Sequence, residues 1–175
     1  MCFDETGLPW VNPSPNMRSL TEATLYPGVG LLETTAVSVG RGTATPFEVV
    51  GAPYIDDLQL AAELNRLGIA GVRFVPIRFT PAASVFKDQP CAGVNILLID
   101  RQHCAVVEIG IAIAQTLHRL YPGEFDLEKF DRLLGHRATI DAIRSGKSFT
   151  EIRQGWTAEL EAFSKSLTPY LLYKP

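Results

Sequence analysis

The sequence predicts an α/β fold: a mixed β-sheet of about four or five strands covered by helices, with a helical C-terminal region. An α+β layout is its variant. Short apolar, β-branched runs bounded by Pro or Gly occur in "PFEVVG", "GVRFVPIRF" and "AGVNILLID". Between the first two, Leu60, Leu64 and Leu67 recur at helical spacing. Beyond Ala105 the apolar pattern is helical nearly to the end.

Taken in order, Pro9, Pro13 and Pro15 push the residues before them toward extended backbone, so residues 1–18 read as an extended Pro/Asn-rich leading segment. The remainder, 19–175, reads as one mixed domain. Ser19 or Thr21 can cap a short helix holding Leu20, Ala23 and Leu25, which Pro27-Gly28 would end. "VGLLETT" reads as a strand and "PFEVVG" as the next. Asp56 or Asp57 caps the helix of Leu60, Leu64 and Leu67, and Gly68 closes it.

In "GVRFVPIRF" the apolar Val72, Phe74 and Ile77 alternate with Arg73 and Arg78, and Pro76 marks an edge or a bulge. Strand, helix and strand from Pro46 to Phe79 predict a parallel pair with a right-handed crossover. The run Val94, Ile96, Leu97, Leu98, Ile99 predicts a strand covered on both faces, open to an antiparallel return. A buried helix follows from Ala105 to Leu120, then one capped by Asp126, then another from Arg137 to Arg144. Ser148 and Glu151 have the spacing of a capping box. The last long helix would carry Ile152, Trp156, Leu160 and Phe163 on one face, with "YLLY" docking as an extended end.

Composition narrows the function. With 46% hydrophobic and 20% charged residues, the chain can build a core. A net charge of −3 and scattered Lys and Arg argue against nucleic acid, which needs a basic face. Cys2, Cys91 and Cys104 fit neither a disulfide framework nor a zinc site, so free thiols are expected over a Cys91–Cys104 bridge. The first residues lack the pattern of a signal peptide. The longest apolar stretch, Cys104 to Leu117, is interrupted by Glu108 and too short to span a bilayer. His103, His118 and His136 do not share metal spacing, and no cofactor motif is present.

The segment "SVGRGTATPFEVVGAP" concentrates polar and turn-forming residues. Its Gly40-x-Gly42 lacks the third glycine of a dinucleotide fingerprint and the Lys-Ser/Thr of a P-loop. The two glycines instead suit a turn that holds Arg41 outward, where a guanidinium can fork to a carboxylate or to sugar hydroxyls. A hairpin turn with a solvated arginine is the plainer alternative. Glu33 and Glu48 flank the loop and are candidate acid–base residues if their strands pair; otherwise each serves as an ion-pair partner for Arg41. Asn12, Ser14 and Asn16 alternate with proline and would point one way on an extended segment, suiting hydroxyl or N-acetyl groups, or would make local turn bonds. Trp10 can stack on a sugar face, whereas Trp156 belongs to a core stripe. Asp100-Arg101 ends a strand, where a local ion pair is expected over a functional role.

"GLPWVNPSPNM" followed by "YPGVGLLETTAVSVGRGTATPFEVVGAPYID", together with "CAGVNILLIDR", "LYPGEFD" and "YLLY", resembles the NamZ-like exo-β-N-acetylmuramidases over nearly the whole chain. The resemblance implies a polypeptide about twice as long, in which a Rossmann-like N-terminal domain precedes this C-terminal one and carries the catalytic glutamate. It implies release of N-acetylmuramic acid from the non-reducing ends of peptidoglycan fragments, in cell-wall recycling. Within it Asn12, Ser14, Asn16, Arg41 and Thr43 are expected to contact substrate, and Glu33 and Glu48 to be the catalytic candidates in this chain, which alone would be inactive. The expected partners are a muramic-acid glycan and the absent N-terminal domain, with no cofactor or metal. An extracytoplasmic location follows from the resemblance only; the residues leave the compartment open. A non-catalytic carbohydrate-binding or interaction module is the alternative. A domain separated from its partner should also expose an apolar patch, here Phe3, Leu8, Trp10 and Val11.

Overall fold

The computed structural model describes residues 2–173. They form two compact units, one ending at Gly135 and one starting at His136. The first unit holds helix α1 (Leu20–Val29), strand β1 (Val49–Ala52), helix α2 (Asp57–Arg66), strands β2 (Val72–Phe79) and β3 (Cys91–Leu98), and helices α3 (Val106–Leu120) and α4 (Leu127–Leu134). The second holds α5 (Arg137–Arg144) and α6 (Phe149–Leu167).

The class is mixed α/β, as expected, but the sheet of the described residues has three strands, ordered β1-β3-β2. Both outer strands run antiparallel to β3. β1 and β2 are therefore parallel in direction, joined through α2, yet not hydrogen-bonded neighbours. The predicted parallel pair is split by β3. That strand takes the centre because Val94 and Ile96 are fully buried, while Pro76, opposite Val94, confines β2 to the edge.

"VGLLETT" is not a strand. α1 runs through Pro27 to Val29, and a 3₁₀ turn, Gly30–Leu32, continues it. Leu25, Val29 and Leu32 lie at helical spacing, and all three are fully buried. Burying that stripe outweighs the backbone bond to the Ala23 carbonyl that Pro27, in the last turn of the helix, cannot make. Where Pro27-Gly28 looked like a stop, Gly28 is a crossing point: α1 and α3 pack together, and a Cβ on Gly28 would lie 1.9 Å from the Val106 carbonyl oxygen.

The caps follow the sequence. Ser19, Asp56 and Asp126 accept from the amides of Glu22, Gln59 and Glu128, and Ser148 and Glu151 form the capping box. α3 is the core helix, packed against α1 and α2, while α2 covers β2 and β3. The three cysteines are free.

In the second unit the expected apolar face of α6 is only partly a core. Ile152 is buried, Trp156 is half-buried and its indole N–H donates to Thr139 Oγ1 at 2.8 Å. Leu160 and Phe163 are 59% and 62% exposed. The residues of "YLLY" are exposed as well. A helix with nothing laid over its C-terminal half keeps its periodicity without burying it.

Candidate functional site

The loop from Ser38 to Glu48 is clamped at both ends. Ser38 exchanges two backbone bonds with Gly51, of 2.8 and 3.0 Å, and the Phe47 amide donates to the Val39 carbonyl at 2.8 Å. Gly40 and Gly42 have φ of +79° and +82°. Space demands glycine there too: a Cβ on Gly40 would come 2.6 Å from Val49 Cγ2, and one on Gly42 2.3 Å from the Ala83 nitrogen. The Gly40 carbonyl accepts from the Thr43 amide at 3.0 Å and from its hydroxyl at 2.7 Å. Thr43 thus spends its hydroxyl proton on the loop itself.

Arg41 stands out from this turn, as the spacing predicted. Its Nε donates to Glu33 Oε1, and its guanidinium lies 5.2 Å above the centre of the Phe47 ring. Phe47 is buried and meets Tyr26 edge-to-face, with ring centres 4.8 Å apart. Among the described residues Arg41 has no other hydrogen-bond partner, and its side chain is 32% exposed. Glu33 does not sit on a strand; it follows the 3₁₀ turn in helical conformation. It therefore does not face Glu48 across a strand pair, and the two carboxylates have different partners.

Glu48 turns instead toward the start of α1, where the Ser19 hydroxyl donates to Glu48 Oε1 at 3.4 Å. Glu22, 2% exposed, lies in the same cluster; its carboxylate accepts from the Arg18 amide and its own amide donates to Ser19 Oγ at 3.1 Å. Burial first, and the nearby Glu22 charge second, push the Glu48 carboxyl above its ordinary 4.5, against the Ser19 bond. A raised pKa is the direction a general acid needs. The charged form costs stability: the folded chain binds this proton more tightly than the unfolded chain, so the contribution is full below about pH 4.5 and lost as pH rises through the raised value. Glu48→Gln is therefore expected to be more stable than the parent at pH 7, with the advantage vanishing near pH 4. Paired thermal melts at the two pH values check it.

Sequence reading missed Glu22, Tyr26 and Phe47. The Ser-x-x-Glu spacing of Ser19 and Glu22 was an available capping-box signal. Glu22 and Tyr26 are four apart on α1, so one helix face serves both the Glu48 and the Arg41 ends of the loop.

The leading segment is not one extended row. The chain reverses at Ser14–Met17, where Met17 donates to the Ser14 carbonyl at 3.1 Å and the Asn16 amide to Ser14 Oγ at 3.1 Å. Asn12 and Ser14 are exposed and Asn16 is half-buried. The Ser14 hydroxyl takes a local turn bond rather than a position on a shared edge. Trp10 packs edge-on to Phe3 at 5.3 Å, with its indole nitrogen buried and unpaired. Phe3, Leu8 and Val11 are exposed, Val11 by 78%, as expected of an uncovered surface; Trp10 is half-buried. Arg101 ties this segment to the end of β3 through Asp4 at 2.8 Å, and an open cavity of about 280 Å³ lies between them, lined by Leu20, Thr21, Thr24 and Ile99 among others. Asp100 pairs locally with His103. Among the described residues no His, Cys, Asp and Glu side chains are grouped to hold a metal, and no helix is long and apolar enough to cross a membrane.

Fold and loop define a mixed α/β module whose glycine turn sets Arg41 against Glu33 and Phe47. A family model described as "Exo-beta-N-acetylmuramidase NamZ, C-terminal" matches residues 24–173, and the chain belongs to that family. It is 39% identical, over 99% of its length, to the peptidoglycan β-N-acetylmuramidase NamZ of Bacillus subtilis (strain 168), and covers 42% of that protein. It also resembles two crystal structures of DUF1343 family proteins from Bacteroides fragilis NCTC 9343. For one the TM-score is 0.86 at 29% identity, covering 99% of this chain and 48% of the other. For the second it is 0.66 at 28% identity, covering 93% and 43%. The chain thus spans less than half the length of the relatives it matches.

Proposed function

We propose that this chain supplies one wall of the substrate cleft of an exo-β-N-acetylmuramidase, which removes N-acetylmuramic acid from the non-reducing ends of peptidoglycan fragments during cell-wall recycling. A Rossmann-like N-terminal domain completes the cleft and carries the main catalytic carboxylate. The family match over residues 24–173, in relatives more than twice as long, is the observation that carries this reading. Arg41 pairs with the lactyl carboxylate of muramic acid through its terminal nitrogens, while Glu33 holds its Nε and Phe47 its face. Asn12, Ser14, Asn16 and Thr43 bind sugar hydroxyl and N-acetyl groups, and Glu48 is the acid candidate of this wall.

The test joins this chain to the N-terminal remainder of the Bacillus subtilis relative and assays a chromogenic N-acetylmuramide beside the isolated chain. Turnover by the joined protein and none by the chain alone is expected; full activity of the chain alone would overturn the reading. Arg41→Ala should weaken binding of a muramic-acid-terminated disaccharide about tenfold or more, and Arg41→Lys should restore it only partly, since an ammonium lacks the planar fork. Isothermal titration reads both. A second reading, a carbohydrate-binding module without catalysis, draws on the commitment of Glu33 to Arg41, which takes Glu33 out of a facing pair with Glu48. Binding of the disaccharide without turnover in the joined protein would favour it.

A further inference from the structure

The apolar stripe of α6 is continuous in sequence and interrupted in burial. Phe149, Ile152, Trp156, Leu160, Phe163 and Leu167 follow one another by three or four residues, so they share one helix face. Phe149 and Ile152 are buried, but from Leu160 onward the stripe is bare: Leu160 is 59%, Phe163 62% and Leu167 39% exposed. The exposed run continues through Tyr170 to Tyr173, with Leu172 at 92%. Scattered exposed apolar residues need no explanation, whereas a contiguous stripe of this size marks a surface that something covers.

What covers it follows from length. The family match runs to residue 173, so the stripe and the run after it belong to the family's C-terminal region and are not an appendage. The same region accounts for only 42% of the Bacillus subtilis relative and 48% of a Bacteroides fragilis structure. A covalently attached remainder is present at an effective concentration in the millimolar range, far above that of a second copy at ordinary protein concentrations. We propose that Leu160, Phe163 and Leu167, with Leu171 and Leu172, form a docking face for an apolar surface on the N-terminal remainder of the polypeptide. The face holds the two domains around the cleft; it rests on the two-domain reading above but names a surface distant in sequence from the Arg41 loop.

Hydrogen exchange decides it, comparing the isolated chain with the chain joined to the N-terminal remainder of the Bacillus subtilis relative. Amides from Leu160 to Tyr173 are expected to exchange at least tenfold more slowly in the joined protein. Leu160→Asp with Phe163→Asp should abolish that protection, while Leu58→Asp, an exposed site on α2, should not. Equal exchange in the two proteins overturns the proposal. So does protection in the isolated chain that grows with concentration, because a second copy would then be the cover. Turnover of the chromogenic muramide is read on the same samples. Activity without protection removes the docking face and leaves the proposed muramidase function standing; protection without activity keeps the docking face and removes that function.

Discussion

Phe47→Ala is expected to lower the unfolding free energy by about 3–5 kcal/mol, the usual range for emptying a fully buried aromatic site. Phe47 is 1% exposed, it meets Tyr26 edge-to-face, and it forms the floor under Arg41. The substitution removes both ring contacts and empties the buried volume. It gains nothing in backbone strain, because Phe47 has a φ of +64° and alanine is as unwelcome there as phenylalanine. For a chain of this size the loss corresponds to a drop of roughly 6–20 °C in melting temperature. Urea unfolding measures it; a loss under about 1 kcal/mol would mean that the loop is held by its backbone clamps alone. Phe47→Leu, which keeps part of the volume, should fall between the two. Arg41 should lose disaccharide affinity in Phe47→Ala even where the protein remains folded, since the ring sets the height of the guanidinium.

The crossing of α1 and α3 gives the second large effect. Alanine in place of a helical glycine normally gains about 1 kcal/mol from propensity. At Gly110 that gain loses to overlap: the new Cβ would lie 2.1 Å from the Gly28 carbonyl oxygen, and at Gly28 it would lie 1.9 Å from that of Val106. Neither obstacle is a side chain that can turn aside, so the helices must separate. Gly110→Ala and Gly28→Ala are each expected to cost about 2–3 kcal/mol. The double variant should cost less than the sum, because one separation makes room for both methyl groups. Gly155 is the control. It lies in α6, and a Cβ there would have nothing within 4 Å, so Gly155→Ala should stabilise by about 0.5–1 kcal/mol. Chemical denaturation of the four variants checks the order.

Much of the fold was legible along the chain because it is written in local rules. Asp56, Asp126 and Ser148 cap the helices they were expected to cap, since a short polar side chain beside free amides satisfies them wherever the helix packs. The edge position of β2 followed from Pro76, which has no proton to give to a neighbour. The reading failed where burial competed with a local signal. "YPG" looked like a stop, yet α1 continues because Leu25, Val29 and Leu32 form one buried stripe. Leu160 and Phe163 looked like core, yet periodicity records only that a face is apolar, and coverage depends on what else is present.

The candidate site divides the same way. Sequence alone placed a turn at Gly40 and Gly42, since tolerance of positive φ and a missing Cβ are properties of the residues themselves, and left the role of Arg41 open. It also determined family membership through the order of its motifs. Only the tertiary structure decided which groups meet: that Glu33 is taken by Arg41, that Glu48 turns to Ser19 and the buried Glu22, and that Phe47, met edge-on by Tyr26, lies beneath the guanidinium. These pairs are brought together by the path of α1 past the loop. Partner choice among charged and aromatic side chains is an energy of distance and desolvation, and those quantities exist only once the chain has closed on itself.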